Sequence, residues 1–311
     1  MIVDVRSPIE FKEDHIPNAI NIPLFSNEER AIVGTIYKKE GKDDAINKGL
    51  EFLSPKLPEM IKQYKELKQP ITIYCFRGGM RSNSIASLLK SLGFKVKVLE
   101  GGYKTYRKKV RDELENFKIK PKIYVLYGLT GSGKTEILNQ LNNSLDLEGL
   151  AQHRGSVFGD INLKPNSQKM FESLLLKKLN ELQKEETIFI EGESRKIGKV
   201  QIPLAIWQQM QKAKKIKVVN SIQDRINRID KEYCNKIDID LFSSKLDQIE
   251  KYLGKKKVVD LKLLLKENKL KEFIKILLLN YYDKLYAHTV DSKEYEFEIS
   301  NKEELNQNIY I

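Results

Sequence analysis

The stretch Tyr124-Val125-Leu126-Tyr127-Gly128-Leu129-Thr130-Gly131-Ser132-Gly133-Lys134-Thr135 decides how this chain is read. A short apolar run, Tyr124 to Tyr127, leads into Gly128-x-x-x-x-Gly133-Lys134-Thr135, and helical spacing follows over 136–141. A phosphate loop of the Walker A kind therefore sits in its strand-to-helix setting. Glycines let the backbone curl with its N–H groups inward, the new helix adds the positive end of its dipole, and Lys134 supplies a mobile charge. The expected guest is a phosphate or diphosphate, held by Gly128, Gly131, Ser132, Gly133, Lys134 and Thr135. Thr135 would ligate Mg²⁺ if a nucleotide binds, and the loop admits ATP, GTP or another diphosphate alike.

The loop starts well into the chain, which leaves a domain's worth of sequence before it. A length of 311 residues favours about two domains, each able to bury its own core. Lys and Arg number 55 against 43 Asp and Glu, a formal charge of +12. That balance suits an acidic partner, nucleic acid first, and equally suits a source with Lys-rich usage. The two cysteines, Cys75 and Cys234, are far apart, so neither a disulfide framework nor a multi-Cys metal site follows, and a reducing compartment is expected. No apolar run approaches the ~20 residues of a bilayer span and no leader pattern follows Met1, so the chain reads as soluble and cytoplasmic, with no membrane partner.

Strand patterns at 2–5, 18–22, 70–74 and 95–99 alternate with helical ones, the longest over 27–68 and another over 84–92. Such alternation implies a parallel sheet covered on both faces. The strand at 70–74 runs into Cys75-Phe76-Arg77-Gly78-Gly79-Met80-Arg81-Ser82. A cysteine leaving a strand into a Gly-containing loop and a helix stands where backbone N–H groups and the helix dipole stabilise a thiolate. Arg77 and Arg81 add positive charge, so the loop can hold an oxyanion against a sulfur nucleophile. Cys234, in a helical context, reads as inert.

Asp4-Val5-Arg6-Ser7-Pro8 with Glu10-Phe11, His15-Ile16-Pro17-Asn18-Ala19-Ile20-Asn21-Ile22-Pro23, the Cys75 loop and Glu100-Gly101-Gly102-Tyr103 together resemble a rhodanese domain over most of the first 110 residues. Rhodaneses commonly carry glycine where this chain has Asp14 and Asn18, and both residues tolerate the left-handed region. The strand and helix usual ahead of the Asp-Val-Arg segment are nearly absent. A rhodanese domain joined to a phosphate loop resembles the tRNA 2-selenouridine synthases. Three segments carry this likeness: the Cys75 loop, Leu145-Asp146-Leu147-Glu148-Gly149-Leu150-Ala151-Gln152-His153-Arg154-Gly155-Ser156-Val157-Phe158-Gly159, and Ile190-Glu191-Gly192-Glu193-Ser194-Arg195-Lys196-Ile197-Gly198. Tyr281-Tyr282-Asp283-Lys284-Leu285-Tyr286 looks like a late motif of the same family.

Asp146 and Glu148 flank Leu147 at a strand end, where they can orient Mg²⁺ or a substrate, and His153 and Arg154 can meet phosphate or tRNA. The apolar strand 187–191 ends in Glu191 in the Walker B layout, with Glu193 and Arg195 alternating beyond it. The run Lys104-Thr105-Tyr106-Arg107-Lys108-Lys109-Val110-Arg111 reads either as a phosphate-backbone contact, with Tyr103 and Tyr106 free to stack, or as a solvated connecting helix. The acidic residues 112–115 and then 120–122 read as the hinge. Lys255-Lys256-Lys257 is either solvated or in contact with nucleic acid, 216–220 is a strand, 222–283 is helical, and 295–299 is a last strand.

The expected fold class is α/β: an N-terminal rhodanese-like domain (1–112), a linker (113–121), and a P-loop NTPase-like parallel-sheet domain with a helical C-terminal part (122–311). The resemblance implies a transferase that replaces sulfur by selenium in wobble 2-thiouridine of tRNA through an S-geranyl intermediate, with geranyl diphosphate and selenophosphate as substrates. It also implies tRNA and a selenophosphate-supplying enzyme as partners. No cofactor beyond an optional Mg²⁺ and no metal-ligand set is expected. Two other classes stay open: a nucleotide-dependent kinase or ATPase with a sulfur-carrier domain, and a thiol phosphatase or arsenate reductase. The spacing from Cys75 to Arg81 fits the last class, although Tyr74 stands where phosphatases usually have histidine.

Overall fold

The computed structural model describes residues 1–233 and 238–309. Cys234, read from sequence as inert, lies outside the described residues. The chain divides into two compact units, Met1–Glu115 with Lys169–Lys177, and Asn116–Gln168 with Lys178–Ile311.

The first unit runs β1 (Ile2–Asp4), α1 (Pro8–Glu13), β2 (Ala19–Asn21), α2 (Asn27–Lys39), α3 (Lys42–Leu53), a 3₁₀ turn (Ser54–Lys56), α4 (Leu57–Lys65), β3 (Ile71–Tyr74), α5 (Met80–Ser91), β4 (Val96–Val98) and α6 (Gly102–Glu115). Its strands form a parallel sheet in the order β2-β1-β3-β4, with Val3 opposite both Ile20 and Ile73. Val3, Ile71, Ile73, Ile85 and Leu89 join the sheet to its helices in one core. Ser26 and Glu29 start α2 with a reciprocal capping box, each satisfying a backbone donor the helix leaves open.

Several expectations shift here. Helix α5 begins four residues ahead of the expected 84, directly at the end of the Cys75 loop. Asn18 has φ +70, as a glycine substitute should, but Asp14 is extended at φ −168 and stands there for another reason. Its Oδ2 accepts from the Tyr103 hydroxyl at 2.7 Å and its backbone carbonyl accepts from Arg6 Nη2 at 2.7 Å. Tyr103 is thereby buried, with the Arg6 guanidinium 3.8 Å from its ring centre, and is not free to stack on a base. Arg107 is buried too, donating to Glu172 Oε2 at 2.5 Å and Ser173 Oγ at 3.1 Å, so the basic run is not one continuous charged face. Residues 112–115 are the last turn of α6 rather than a hinge.

The second unit comprises β5 (Lys122–Tyr127), α7 (Lys134–Asn139), β6 (Ser144–Leu145), α8 (Leu147–Ala151), α9 (Gln168–Leu182, whose middle belongs to the first unit), β7 (Thr187–Glu191), the hairpin β8 (Lys196–Ile197) and β9 (Val200–Gln201), α10 (Leu204–Lys212) and β10 (Lys214–Val218). A helical part follows: α11 (Ile222–Tyr233), α12 (Ile239–Gln248), α13 (Glu250–Leu253), α14 (Lys255–Lys266), α15 (Leu270–Leu277), a π turn (Leu278–Tyr282) and α16 (Asp283–Asp291). The unit closes on β11 (Phe297–Ile299) and α17 (Lys302–Ile309). The sheet is parallel in the order β11-β10-β5-β7-β6. Strand β10 lies two residues earlier than expected, because Asn220 has left the sheet to donate from Nδ2 to the Ser132 carbonyl at 2.8 Å.

The helical part has its own core, in which the rings of Phe158, Phe242 and Phe273 meet at centroid distances of 5.7, 6.1 and 6.4 Å. Leu261, Leu265 and Leu277 are buried in it, and Leu264 and Ile276 pack against it. Phe273 is 2% exposed, and Phe273→Ala removes a ring that both other phenylalanines touch. The expected loss is about 3–5 kcal/mol in urea unfolding; a loss below about 1 kcal/mol would show that this cluster does not hold the helical part together.

Candidate functional sites

In the first unit, β3 delivers Cys75 to the base of a loop that α5 closes. Gly78 (φ +66) and Gly102 (φ +57) hold the left-handed turns, and a Cβ on Gly102 would stand 2.3 Å from the Cys75 carbonyl oxygen, so a side chain there would push the loop apart. The Tyr103 N–H donates to that carbonyl at 2.9 Å and the Lys104 N–H to the Phe76 carbonyl at 2.8 Å, pinning the loop from α6. Burial pushes the Cys75 thiol up. The Ser82 hydroxyl at 3.2 Å, the Ser82 and Arg77 N–H groups and the charge of Arg81 outweigh it, leaving the thiol more acidic than usual. The two arginines are placed differently: Arg77 is exposed, whereas Arg81 is half-buried with Nη1 3.3 Å from Glu10 Oε2.

In the second unit the phosphate loop leaves β5 at Gly128 and enters α7 at Lys134, with Gly131 (φ +77) and Gly133 (φ +97) in the left-handed region. Lys134 Nζ folds back to the Gly128 carbonyl at 3.1 Å. Helix α11 braces the loop from outside. The buried Arg225 donates to the Thr130 carbonyl at 2.9 Å and, through both terminal nitrogens, to Asp283 at 2.5 and 3.1 Å. Arg228 donates to the Gly131 carbonyl at 3.2 Å and to Glu136 at 2.7 Å. Neither arginine stands out in the sequence. Their spacing of three places them on one face of α11, but nothing before the fold says that this face meets the loop.

Beside the loop three carboxylates converge. Strand β7 pairs directly with β5, Leu126 opposite Glu191, so Glu191 ends beneath the loop as the Walker B layout requires. It is fully buried, accepts from the Thr135 hydroxyl at 2.8 Å and the Glu148 N–H at 3.3 Å, and is pushed up to about 8 by burial and by the charges of Glu193 and Asp146. Burial and like charge raise Glu148 and Glu193 as well. Gly155 (φ +61) makes room for this grouping, since a Cβ there would lie 2.7 Å from Glu148 Oε1 and 2.8 Å from Glu193 Oε2. Oxygens of Glu148, Glu191 and Glu193 lie within 4.8 Å of one another, a hard donor set that suits a divalent cation. Asp146 instead caps α8, accepting from the Gly149 N–H at 2.8 Å.

The loop, Glu148 and Glu193 face a cavity of about 1190 Å³ within the second unit, larger than the ~300–1,000 Å³ of a usual small-molecule site, while Glu191 lies buried behind them. Its far wall is apolar, built from Phe158, Phe242, Phe273, Ile274, Leu277 and Leu278. Among the sequence-predicted residues, Asp146, Glu148, Arg154 and Arg195 line it together with the phosphate loop. Arg154 is also tied to the Ile161 carbonyl and to Glu232, and the exposed Arg195 donates to the Ile202 carbonyl at 3.3 Å. His153 does not line the cavity. Its ring packs against Gly198, where a Cβ would come within 2.5 Å, and burial holds its pKa down. The apolar wall was not legible as a site, because its residues follow an ordinary helical core pattern.

The two sites generate separate pH expectations. Ser82→Ala removes a hydroxyl that steadies the Cys75 thiolate, so alkylation of Cys75 at neutral pH, read by peptide mass to separate it from Cys234, should slow about tenfold; an unchanged rate would mean that Ser82 only packs. For Glu191, the folded value of about 8 lies above the ordinary carboxylate value. The associated stability is complete below the ordinary value and is lost as pH rises through the folded one. The melting temperature should fall between about pH 4.5 and about pH 8 and level off above that, and Glu191→Gln should flatten the fall; an equally steep fall in the variant would place the titration elsewhere.

Comparison with known proteins agrees with both halves. A model described as a rhodanese-like domain matches residues 1–109, and one described as the tRNA 2-selenouridine synthase AAA domain matches residues 121–309. A tRNA 2-selenouridine synthase from Shewanella woodyi is 33% identical over 94% of this chain and 89% of its own length. The corresponding protein of Pseudomonas syringae pv. tomato is 33% identical over 97% of the chain and 92% of its own. That of Nitrosomonas europaea is 36% identical over 75% of the chain and 63% of its own. The parallel sheets, the acidic Cys75 and the braced phosphate loop thus occur in a chain that belongs to the tRNA 2-selenouridine synthase family.

Proposed function

We propose that this chain is a tRNA-modifying transferase that exchanges sulfur for selenium in wobble 2-thiouridine, forming an S-geranyl intermediate from geranyl diphosphate and resolving it with selenophosphate. The observation that carries this reading is the joining of two unlike surfaces in one cavity. The phosphate loop offers backbone N–H groups and Lys134 to a diphosphate, and the wall around Phe158, Phe242 and Phe273 offers an apolar bed to a branched hydrocarbon chain. A nucleotide needs the first surface but not a wall of phenylalanine and leucine.

In this reading the 2-thiouridine sulfur attacks the first carbon of the geranyl group, the carbon–oxygen bond to diphosphate breaks, and the ring gives up its N3 proton. Lys134 and the loop N–H groups stabilise the departing diphosphate as its charge grows. Mg²⁺ accompanying the diphosphate would draw its ligands from Thr135, Glu148, Glu191 and Glu193, and would neutralise part of that charge. The selenium of selenophosphate then bonds to the ring carbon as the carbon–sulfur bond breaks and geranylthiol leaves, and water takes the phosphoryl group from selenium as phosphate while N3 regains its proton. The Cys75 loop carries or positions selenophosphate for this step, with Arg77 as its exposed cation and Arg81 available on release from Glu10. The partners are tRNA bearing 2-thiouridine and an enzyme that supplies selenophosphate, which agrees with the +12 formal charge. Among the described residues no helix is long and apolar enough to cross a membrane; the cytoplasm, where tRNA is modified, is the proposed setting.

The test is nucleoside mass spectrometry of 2-thiouridine-containing tRNA incubated with the protein, geranyl diphosphate and selenophosphate, each omitted in turn. A geranyl mass gain is expected without selenophosphate, and conversion to selenouridine with it. Cys75→Ala should abolish selenation and keep geranylation, and Lys134→Ala should slow geranylation by about 10²–10³. Loss of the same step in both variants would overturn this division of labour, and an unchanged nucleoside profile would overturn the function.

A further inference from the structure

The cavity has a third wall, which neither the diphosphate nor the hydrocarbon chain uses. Tyr127 ends β5 immediately ahead of Gly128, while Trp207 and Gln211 stand four residues apart on α10 and so share one face of it. All three line the cavity, as do Glu193 and Arg195. Tyr127 is 4% exposed, and neither its hydroxyl nor Gln211 Nε2 has a partner at hydrogen-bond geometry. Burial pushes the phenol up, with Gln211 near enough to oppose that shift and the Glu193 charge near enough to add to it. Buried polar groups are nearly always satisfied, so an unpartnered hydroxyl and amide beside a half-buried indole mark a surface made for a flat polar ligand.

We infer that this corner is a nucleobase subsite which receives the 2-thiouracil ring, with Trp207 as its stacking platform and Gln211, Tyr127 and Glu193 meeting its polar edge. The inference rests on the function proposed above and locates its RNA substrate. The ring presents an N3–H donor and an O4 acceptor on one edge, and the corner answers with a carboxylate acceptor and an amide donor. Bases of an anticodon loop are single-stranded and can be splayed outward, the form in which aromatic side chains take them. Because Tyr127 adjoins Gly128, a base held here lies next to the phosphate loop, where the sulfur must meet the carbon bound to diphosphate. The exposed Arg195, which also lines the cavity, adds a positive charge for the RNA backbone.

Trp207 is the chain's one tryptophan, so its emission reports on this corner alone. The probe is an anticodon stem-loop RNA with 2-thiouridine at the wobble position, compared with the same hairpin carrying an abasic residue there. The 2-thiouridine hairpin should quench Trp207 emission and bind the full chain about tenfold more tightly than the abasic one. Trp207→Ala and Gln211→Ala should each weaken its binding about tenfold, Trp207→Phe should recover most of the loss, and geranyl diphosphate affinity by calorimetry should stay unchanged in all three. Equal affinity for the two hairpins, or binding without quenching, overturns the inference and leaves the proposed function standing if geranyl diphosphate still binds. Loss of geranyl diphosphate affinity in Trp207→Ala would assign the indole to the hydrocarbon wall and also overturn it. A wild-type chain that binds neither ligand overturns both readings.

Discussion

The buried guanidinium of Arg225 is the interaction on which the second unit depends. It donates to the Thr130 carbonyl within the phosphate loop and, bidentate, to Asp283 at the start of α16. A buried ion pair contributes little net stability compared with apolar packing, but removing one partner strands the other charge at a cost of about 3–5 kcal/mol. Its consequence here is geometric. The loop comes from the sheet, Asp283 comes from the helical part, and one planar side chain fixes the distance between them. The apolar wall on α12 and α15 therefore faces the phosphate loop at a set separation, and a two-ended ligand can be held at both ends.

Electrostatics divides the cavity in a complementary way. Around Gly131 and Gly133 the backbone presents N–H groups, and the carbonyls that would otherwise face an anion are engaged by Arg225, Arg228, Lys134 and Asn220. Beside the loop stand Glu148, Glu191 and Glu193, each held above the usual carboxylate range by burial and by neighbouring carboxylates, Asp146 among them. Protons or a divalent cation must neutralise part of that charge before a diphosphate enters. The Cys75 loop shows the reverse balance. Hydrogen bonds to sulfur and the charge of Arg81 overcome burial, so that site favours the anion that the carboxylate grouping resists.

The basic run 104–111 shows where local pattern gives way to packing. By composition it is a charged helix face, yet Arg107 points inward to Glu172 and Ser173 while Lys108 and Lys109 pair along the helix with Asp112 and Glu113. Tyr103 is drawn inward by Asp14, a carboxylate about ninety positions away in the chain. A composition-based reading treats such residues as surface, because nothing local records a distant buried acceptor. The same limit applies to Asp14, read as a tolerated left-handed residue and found extended as an acceptor.

By itself the sequence determined the features whose physics is local. The glycine spacing and Lys134 define an anion-binding turn wherever a strand feeds a helix, the cysteine at a strand end defines the second loop, and period-two and helical patterns define two parallel-sheet units. Glu191 was legible for the same reason, as a carboxylate ending an apolar strand. Only the tertiary structure decided which residues surround these loops. Arg225 and Arg228 acquire meaning from the side of the loop that α11 crosses, Glu193 from the space Gly155 leaves, and Trp207 with Gln211 from how α10 lies against β5. The phenylalanines of the wall read as core because they are core: one apolar face serves both packing and binding, and only the position of the cavity separates the two roles.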